Sequence, residues 1–366
     1  MEISKKLQEL FDKGNTNNKF RYLNFSNPND CTNYYKEFAA ELAEALQPEN
    51  NPFNNKNKNL IFIYSWEDEL NAYSCATAEE DIIRVNEGSI YRIYKLFYNL
   101  VSKVKIGLIE SNVLHTELIA NVSFSNELVP DKPLSYEMII TDNVKLNNIA
   151  EYMSMLALKF LIAHELGHSY NGHAGYSRVV IEKIKGLKEK TNLDISELEP
   201  SYLDLQTLEM DADIFAINKI VDIAMDMLQT NDKITSYLNE SNLIKLILYS
   251  IHGIFYLIRN MDLKNYKYKV HPPTYIREAL IIDSMVVYLE KRYNTKLPTD
   301  FFKDYGVIDK YFYLAENKTN DEFLKYIIDF KDDASVHAEN IMHNFRNKVS
   351  HNIKEGSRLP IEGIDY

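Results

Sequence analysis

The run His164-Glu165-Leu166-Gly167-His168 holds the residues best suited to chemistry. Histidines at this spacing lie one above the other on a single face of a helix, so both imidazoles can reach one metal ion. Glu165, beside the first of them, can hold a metal-bound water without itself entering the coordination sphere. The surrounding stretch from Met153 to Leu166 is strongly apolar. Two histidines and a glutamate are costly to bury there without partners, which argues against a pair of ordinary core histidines. A catalytic zinc takes three protein ligands and a water, so this pair is one ligand short.

The segment Glu209-Met210-Asp211-Ala212-Asp213 supplies the favoured third ligand. Glu209 and Asp213 stand at i and i+4 and point the same way. Glu209 is assigned to the metal, and Asp213 to the non-ligating nitrogen of His164, whose tautomer it would fix. Asp211 falls off that face and is read as exposed. His173 is the other candidate third ligand; it lies beyond Gly172, where the helix is expected to have ended, so a packing or hydrogen-bonding role near the site is preferred. A third unit is His271-Pro272-Pro273-Thr274-Tyr275-Ile276-Arg277. A Pro-Pro start to a helix would fix His271 and Arg277 relative to each other, and either could donate to an oxyanion. His115, His252, His337, His343 and His351 have no ligand-like spacing and are read as structural or surface residues.

The elements that must position these groups emerge from periodicity. Leu146, Ile149, Met153, Leu156 and Phe160 recur at steps of three and four, the mark of a helix that runs into His164. Asn171-Gly172 ends it. A charged stretch from Glu182 to Asn192 leads to a helix over Leu203–Leu228. Upstream, Leu60–Tyr64, Ala72–Thr77 and Asp81–Val85 read as strands, followed by a helix over Ser89–Val104. Ser135–Thr141 is a further strand, placed to pair with an extended substrate backbone. The first fifty residues read as helical, with an amphipathic stretch at Met1–Asn15 and a helix at Asn33–Leu46, and an Asn-rich linker follows at Asn51–Asn59. The expected fold is α+β and mostly helical: an active-site helix packed on a small β-sheet, with helical segments at both ends. The divisions are 1–50, 51–285 and 286–366.

Composition narrows the class. With 366 residues, 45% hydrophobic and 26% charged, the chain is an ordinary globular one. A net charge of −12 argues against a nucleic-acid binder, which needs a basic face to displace counterions. Two cysteines, Cys31 and Cys75, rule out a disulfide framework. No signal peptide and no run of apolar residues long enough to span a bilayer is evident, so a cytoplasmic protein is expected.

In their order, these units resemble the gluzincin metallopeptidases of the CAAX prenyl endopeptidase and heat-shock protease type. The resemblance rests on His-Glu-Leu-Gly-His with His173, Glu209-x-x-x-Asp213, and His271-Pro-Pro-x-x-x-Arg277. Asn71-Ala72-Tyr73 is similar to that family's Asn-Ala-Phe segment. The likeness covers residues 60 to 285. What it implies is a zincin-like domain at 51–285 binding one Zn2+ through His164, His168 and Glu209. Glu165 would be the general base, Asp213 the outer carboxylate, and His271 with Arg277 the transition-state pair. Membrane spans are typical of the family, so a soluble branch fits better, akin to the intracellular phage-exclusion proteases of the Lit type. That kinship implies an intracellular protein substrate and a phage-defence setting. The reading from another class is a zinc-containing regulatory or binding scaffold without general proteolytic activity; a fourth ligand such as His173 or His271 would favour it.

Overall fold

The computed structural model describes residues 20–21, 31–46, 59–65, 67–76, 80–104, 117–126, 129–229, 238–259, 265–297, 301–316, 321–354 and 356–357. The amphipathic stretch Met1–Asn15, His115 and all but the last residue of the Asn51–Asn59 linker lie outside them. The fold is α+β and mostly helical, with a small sheet.

Four strands form that sheet: β1 (Phe20–Arg21), β2 (Asn59–Ser65), β3 (Ala72–Ala76) and β4 (Glu80–Asn86). Their order is β1-β2-β4-β3, so β3 is an edge strand. β2 runs parallel to β4, with Ile61 opposite Ile82, while β3 runs antiparallel to β4, with Ser74 opposite Ile83. β2 carries the apolar run Leu60–Tyr64, in which Phe62, Ile63 and Tyr64 are buried, and β4 buries Ile82, Ile83 and Val85 beside it. β3 follows Asn71, whose backbone is held by Ser89: its N–H donates to Oγ at 2.9 Å, and Oγ donates to its carbonyl at 3.0 Å. The N-terminal region departs from the expectation of helix throughout, because Phe20–Arg21 pairs antiparallel with β2. Two residues carry no periodicity from which a strand can be read.

The helix α1 (Cys31–Ala45) packs on the central helix, and α2 (Glu87–Lys103) follows β4 directly. A separate antiparallel ribbon joins β5 (Glu117–Asn126) to β6 (Val129–Thr141) and lies against α2. β6 is longer than the expected Ser135–Thr141. β5 is an addition to the expected strands, although Ala120, Val122 and Phe124 alternate with Asn121, Ser123 and Ser125.

The central helix is α3 (Val144–Tyr170), 27 residues long. Asn143 caps it, its side chain accepting from the N–H groups of Lys145 and Leu146. Gly172, at φ +79°, turns the chain directly into α4 (His173–Lys188). Most of the charged stretch expected to be a connection therefore belongs to a helix whose one face carries Val180 and Ile184 inward. Then come α5 (Glu199–Gln229), α6 (Glu240–Ile258), α7 (Thr274–Tyr293), α8 (Phe301–Ala315) and α9 (Asp321–Asn344). A π-helical turn over Phe345–Val349 and a short α10 (Ser350–Ile353) follow. α7 runs unbroken through residues 285 and 286, so the division drawn there falls inside one helix.

α6 is apolar enough to cross a bilayer by length and composition, with a mean hydropathy of 1.4, but 72% of that stretch is buried within the protein. It serves as a core helix against α3, α7 and α8. Two hydrophobic cores result. The larger joins α1, α2, α3, α6 and α8; the smaller joins α4, α5, α7 and α9 through residues such as Val180, Tyr202, Ile276 and Ile341. α5 and α7 contribute to both.

Candidate metal centre

Where α3 and α5 cross, Gly167 faces Ala212. A Cβ on Gly167 would lie 3.2 Å from the Ala212 Cα and from a Phe215 ring carbon, so only small residues let the helices close to this distance. That approach brings the candidate ligands together. The Nε2 atoms of His164 and His168 are 3.1 Å apart. Glu209 sets Oε2 3.5 Å from His164 Nε2 and Oε1 3.4 Å from His168 Nε2. One donor atom from each of the three residues falls within 4.8 Å of the others. Glu209 Oε2 is buried with no donor in good hydrogen-bond geometry; the nearest nitrogens are His271 Nε2 at 3.4 Å and His164 Nε2 at 3.5 Å. A buried carboxylate oxygen without a donor is costly unless a cation completes it, so the residues present fit a metal ion. Two imidazoles and a carboxylate form a donor set for a divalent metal ion.

Each histidine has a polar neighbour behind it. His164 Nδ1 lies 2.8 Å from Asp213 Oδ1. Asp213 in turn accepts from Arg277 twice, from Nε at 2.7 Å and from Nη2 at 2.8 Å. His168 turns its Nδ1 to His173 Nδ1 at 2.9 Å, and His173 Nε2 meets Asp211 Oδ2 at 2.8 Å. A carboxylate can only accept, so a neutral His173 donates from Nε2 and offers the lone pair of Nδ1. His168 then donates from Nδ1, which leaves its Nε2 lone pair facing His164 and Glu209.

Asp211 therefore corrects an expectation. It is 7% exposed rather than on the surface, and it also accepts from the Asn171 side chain at 2.6 Å. The helix-wheel argument fails because α5 is buried on nearly every side from Leu205 to Ile214. His173 is buried and aimed at His168 Nδ1, behind the ligands rather than among them.

Burial and neighbouring charges set the protonation of the metal-free centre. Burial opposes charge on His164 most strongly, yet Asp213 and Glu209 outweigh it and raise its pKa to about 10. Burial holds His168 well below its ordinary value. Burial also raises the Glu165 carboxyl, while His164, Ser74 and Arg277 pull it back. Glu209 is held well below the carboxylate range: burial opposes this, but His168, His271 and His164 prevail.

The centre opens on two cavities, of about 350 and 250 Å3. Both are lined by Ala72, His164, Glu165, Glu209 and His271, so together they form one cleft crossing the centre. Phe160, Leu161, Phe255 and Pro272 wall the larger side; Tyr73, Ser74, Cys75 and Ile181 wall the smaller. Cys75 is a free, exposed thiol. The strand along this cleft is β3. β6, expected to pair with substrate, is paired with β5 and packed on α2, and none of its described residues lines either cavity. His271 stands on the lip, its side chain 64% exposed, with Nε2 3.4 Å from Glu209 Oε2. Of the histidines without ligand spacing, His252 and His337 are buried, whereas His343 and His351 are exposed.

No protein-family model matches the chain, and no curated protein or solved structure matches it either. A functional reading therefore stands on the geometry of the centre and its cleft.

Proposed function

We propose that this chain is a zinc-dependent endopeptidase of the gluzincin kind, with His164, His168 and Glu209 as metal ligands and Glu165 as general base. The observation that carries the reading is the convergence of the three ligand atoms within 4.8 Å at the floor of a cleft that Glu165 also lines. When bound, the metal would polarise the scissile carbonyl and acidify a water in its open position.

The chain's own groups do the rest. Glu165 takes the proton of the attacking water and passes it to the leaving amine; burial raises its pKa, which suits that exchange. Asp213 and Asp211 hold the two ligand imidazoles from behind, the second through His173. Arg277 spends Nε and Nη2 on Asp213, which supports positioning rather than substrate contact. His271, at the exposed lip, is the donor for the developing oxyanion. An extended peptide substrate adds to the edge of β3, which lines the cleft, and sets an apolar side chain against Phe160 and Leu161.

Glu165→Gln is the test. It should keep one zinc per chain and lower peptide hydrolysis about 10²–10⁴-fold, the usual worth of a general base. Turnover at the wild-type rate with zinc retained would end the proposal. The scaffold reading is favoured by one observation, the reach of His271 to Glu209, which could close the site as a fourth ligand. Zinc affinity unchanged in His271→Ala counts against that closure.

A further inference from the structure

The C-terminal helix α9 touches α5 just upstream of Glu209, and one of those contacts continues to the cleft. Gln206 is completely buried. Its Nε2 donates to the carbonyls of Tyr266 and Lys269, at 2.8 Å each. Since only the amide nitrogen can donate to carbonyls, Oε1 must face the other way. There it accepts from His337 Nε2 of α9 at 2.6 Å. The His337 ring also stands edge-on to the Tyr266 ring, centroids 4.8 Å apart. Tyr266 and Lys269 line the larger cavity, and the chain runs on from them to His271. Burial lowers the His337 pKa to about 4, so the ring is neutral at ordinary pH. The neighbouring contacts, Asn344 to Asp204 and Thr207 and Lys348 to Asp204, fasten α9 and the π-helical turn to α5 without reaching the cleft.

We infer that Gln206 and His337 are positioning residues: through them the C-terminal helix α9 fixes the wall of the cleft that carries His271. The physical reason is local. Residues 266–271 include only a 3-10 turn over Tyr266–Tyr268, and such turns hold poorly without side-chain support. Gln206 ties two carbonyls of this segment to a helix, and His337 keeps the Gln206 amide from rotating away.

The role of His271 rests on the proteolytic reading, so the test has one arm that does not. Gln206→Ala would strand two carbonyls and a histidine N–H at once and can fail to fold, so the informative variant is His337→Phe. It keeps a ring against Tyr266 and removes only the donor to Gln206. Hydrogen exchange at the Tyr268 and Lys269 amides, which close the turn onto Asn265 and Tyr266, should speed up about fivefold, the worth of one hydrogen bond. The melting temperature should fall by about 1–4 °C, because Gln206 Oε1 is left buried without its donor, and zinc affinity should stay near wild type. The kinetic arm is a double-mutant cycle on kcat/KM with His271→Ala: if α9 acts through the His271 wall, His337→Phe adds nothing once His271 is gone. Unchanged exchange at both amides overturns the inference, whether or not the protein is a peptidase. Additive losses in the cycle overturn the link to His271.

Discussion

Replacing Asp213 with Asn keeps the side-chain shape and removes its charge and one strong acceptor. In the native protein the Arg277–Asp213 pair is closed from solvent, with side-chain exposures of 8% and 1%, and is joined at 2.7 and 2.8 Å. After the substitution the guanidinium keeps at most one of those bonds, and its next carboxylate, Glu209 Oε2, is 3.8 Å from Nη2. Breaking a buried pair from one side costs about 3–5 kcal/mol. A surviving hydrogen bond from Arg277 to the Asn carbonyl returns part of this, so a net loss of about 2–3 kcal/mol is expected. Urea unfolding of the metal-free protein measures it. The second arm is Asp213→Asn with Arg277→Met, which takes away the stranded charge. That double variant should be more stable than Asp213→Asn alone by about 1 kcal/mol or more. Zinc affinity should stay about 10–100-fold down in both, because the imidazole of His164 has lost its carboxylate. A single variant within about 1 kcal/mol of wild type, or a double variant showing the plain sum of two losses, would refute the argument that Asp213 is the counter-charge of Arg277.

Three further outcomes are expected. Because the carboxylates raise His164 to about 10 in the metal-free centre, zinc must displace its proton, and calorimetry in buffers of different ionisation enthalpy should report about one proton released per ion at pH 7; heats that do not depend on the buffer count against this. Gly167→Ala sets a gain of about 1 kcal/mol in helix propensity against about 1–3 kcal/mol of overpacking on Ala212 and Phe215. Stability should therefore fall by up to about 2 kcal/mol, with weaker zinc binding as His168 and Glu209 part; affinity equal to wild type would mean that the helix spacing is not limiting. His252 is buried between Glu278 at 2.6 Å and Asp309 at 3.2 Å, and although burial opposes its charge, those carboxylates raise it to about 9. A raised histidine contributes stability that is whole below its unfolded value, near 6.5, and is lost as pH rises through about 9; His252→Gln should flatten the fall in metal-free stability over that window, and an unchanged slope would refute the assignment.

The parts of the centre that are legible in the sequence share one property: their partners recur at helical spacing. His164 with His168 and Glu209 with Asp213 are each an i, i+4 pair, and that spacing alone puts two side chains on one face. What escapes has no periodic signature. Asp211 reads as exposed only if α5 is an amphipathic helix, whereas α5 crosses between two cores and has no outer face along that stretch. His173 reaches His168 only because Gly172, at φ +79°, turns the chain at the end of α3. β6 packs on α2 with β5 as its partner, because strand pairing is decided by context beyond the strand itself. β3 takes the edge of the other sheet instead, held at Asn71 by Ser89.

Distance along the chain explains the last gap, the role of the C-terminal residues. His337 meets Gln206 across 131 positions, and neither residue stands at a spacing that suggests the other. Yet the type of each is informative. A glutamine in the middle of an apolar helix must satisfy a donor group and an acceptor group at once, and an irregular segment packed against it offers the carbonyls that a regular helix would already have used. Buried amides of this kind mark where a helix is fastened to a loop, and the loop here is the one that ends at His271. The same reasoning separates Gln206 from Asp204, whose oxygens are taken by Lys348, Asn344 and Tyr176. Those bonds secure the C-terminal turn against α4 and α5, whereas Gln206 carries the fastening into the cleft.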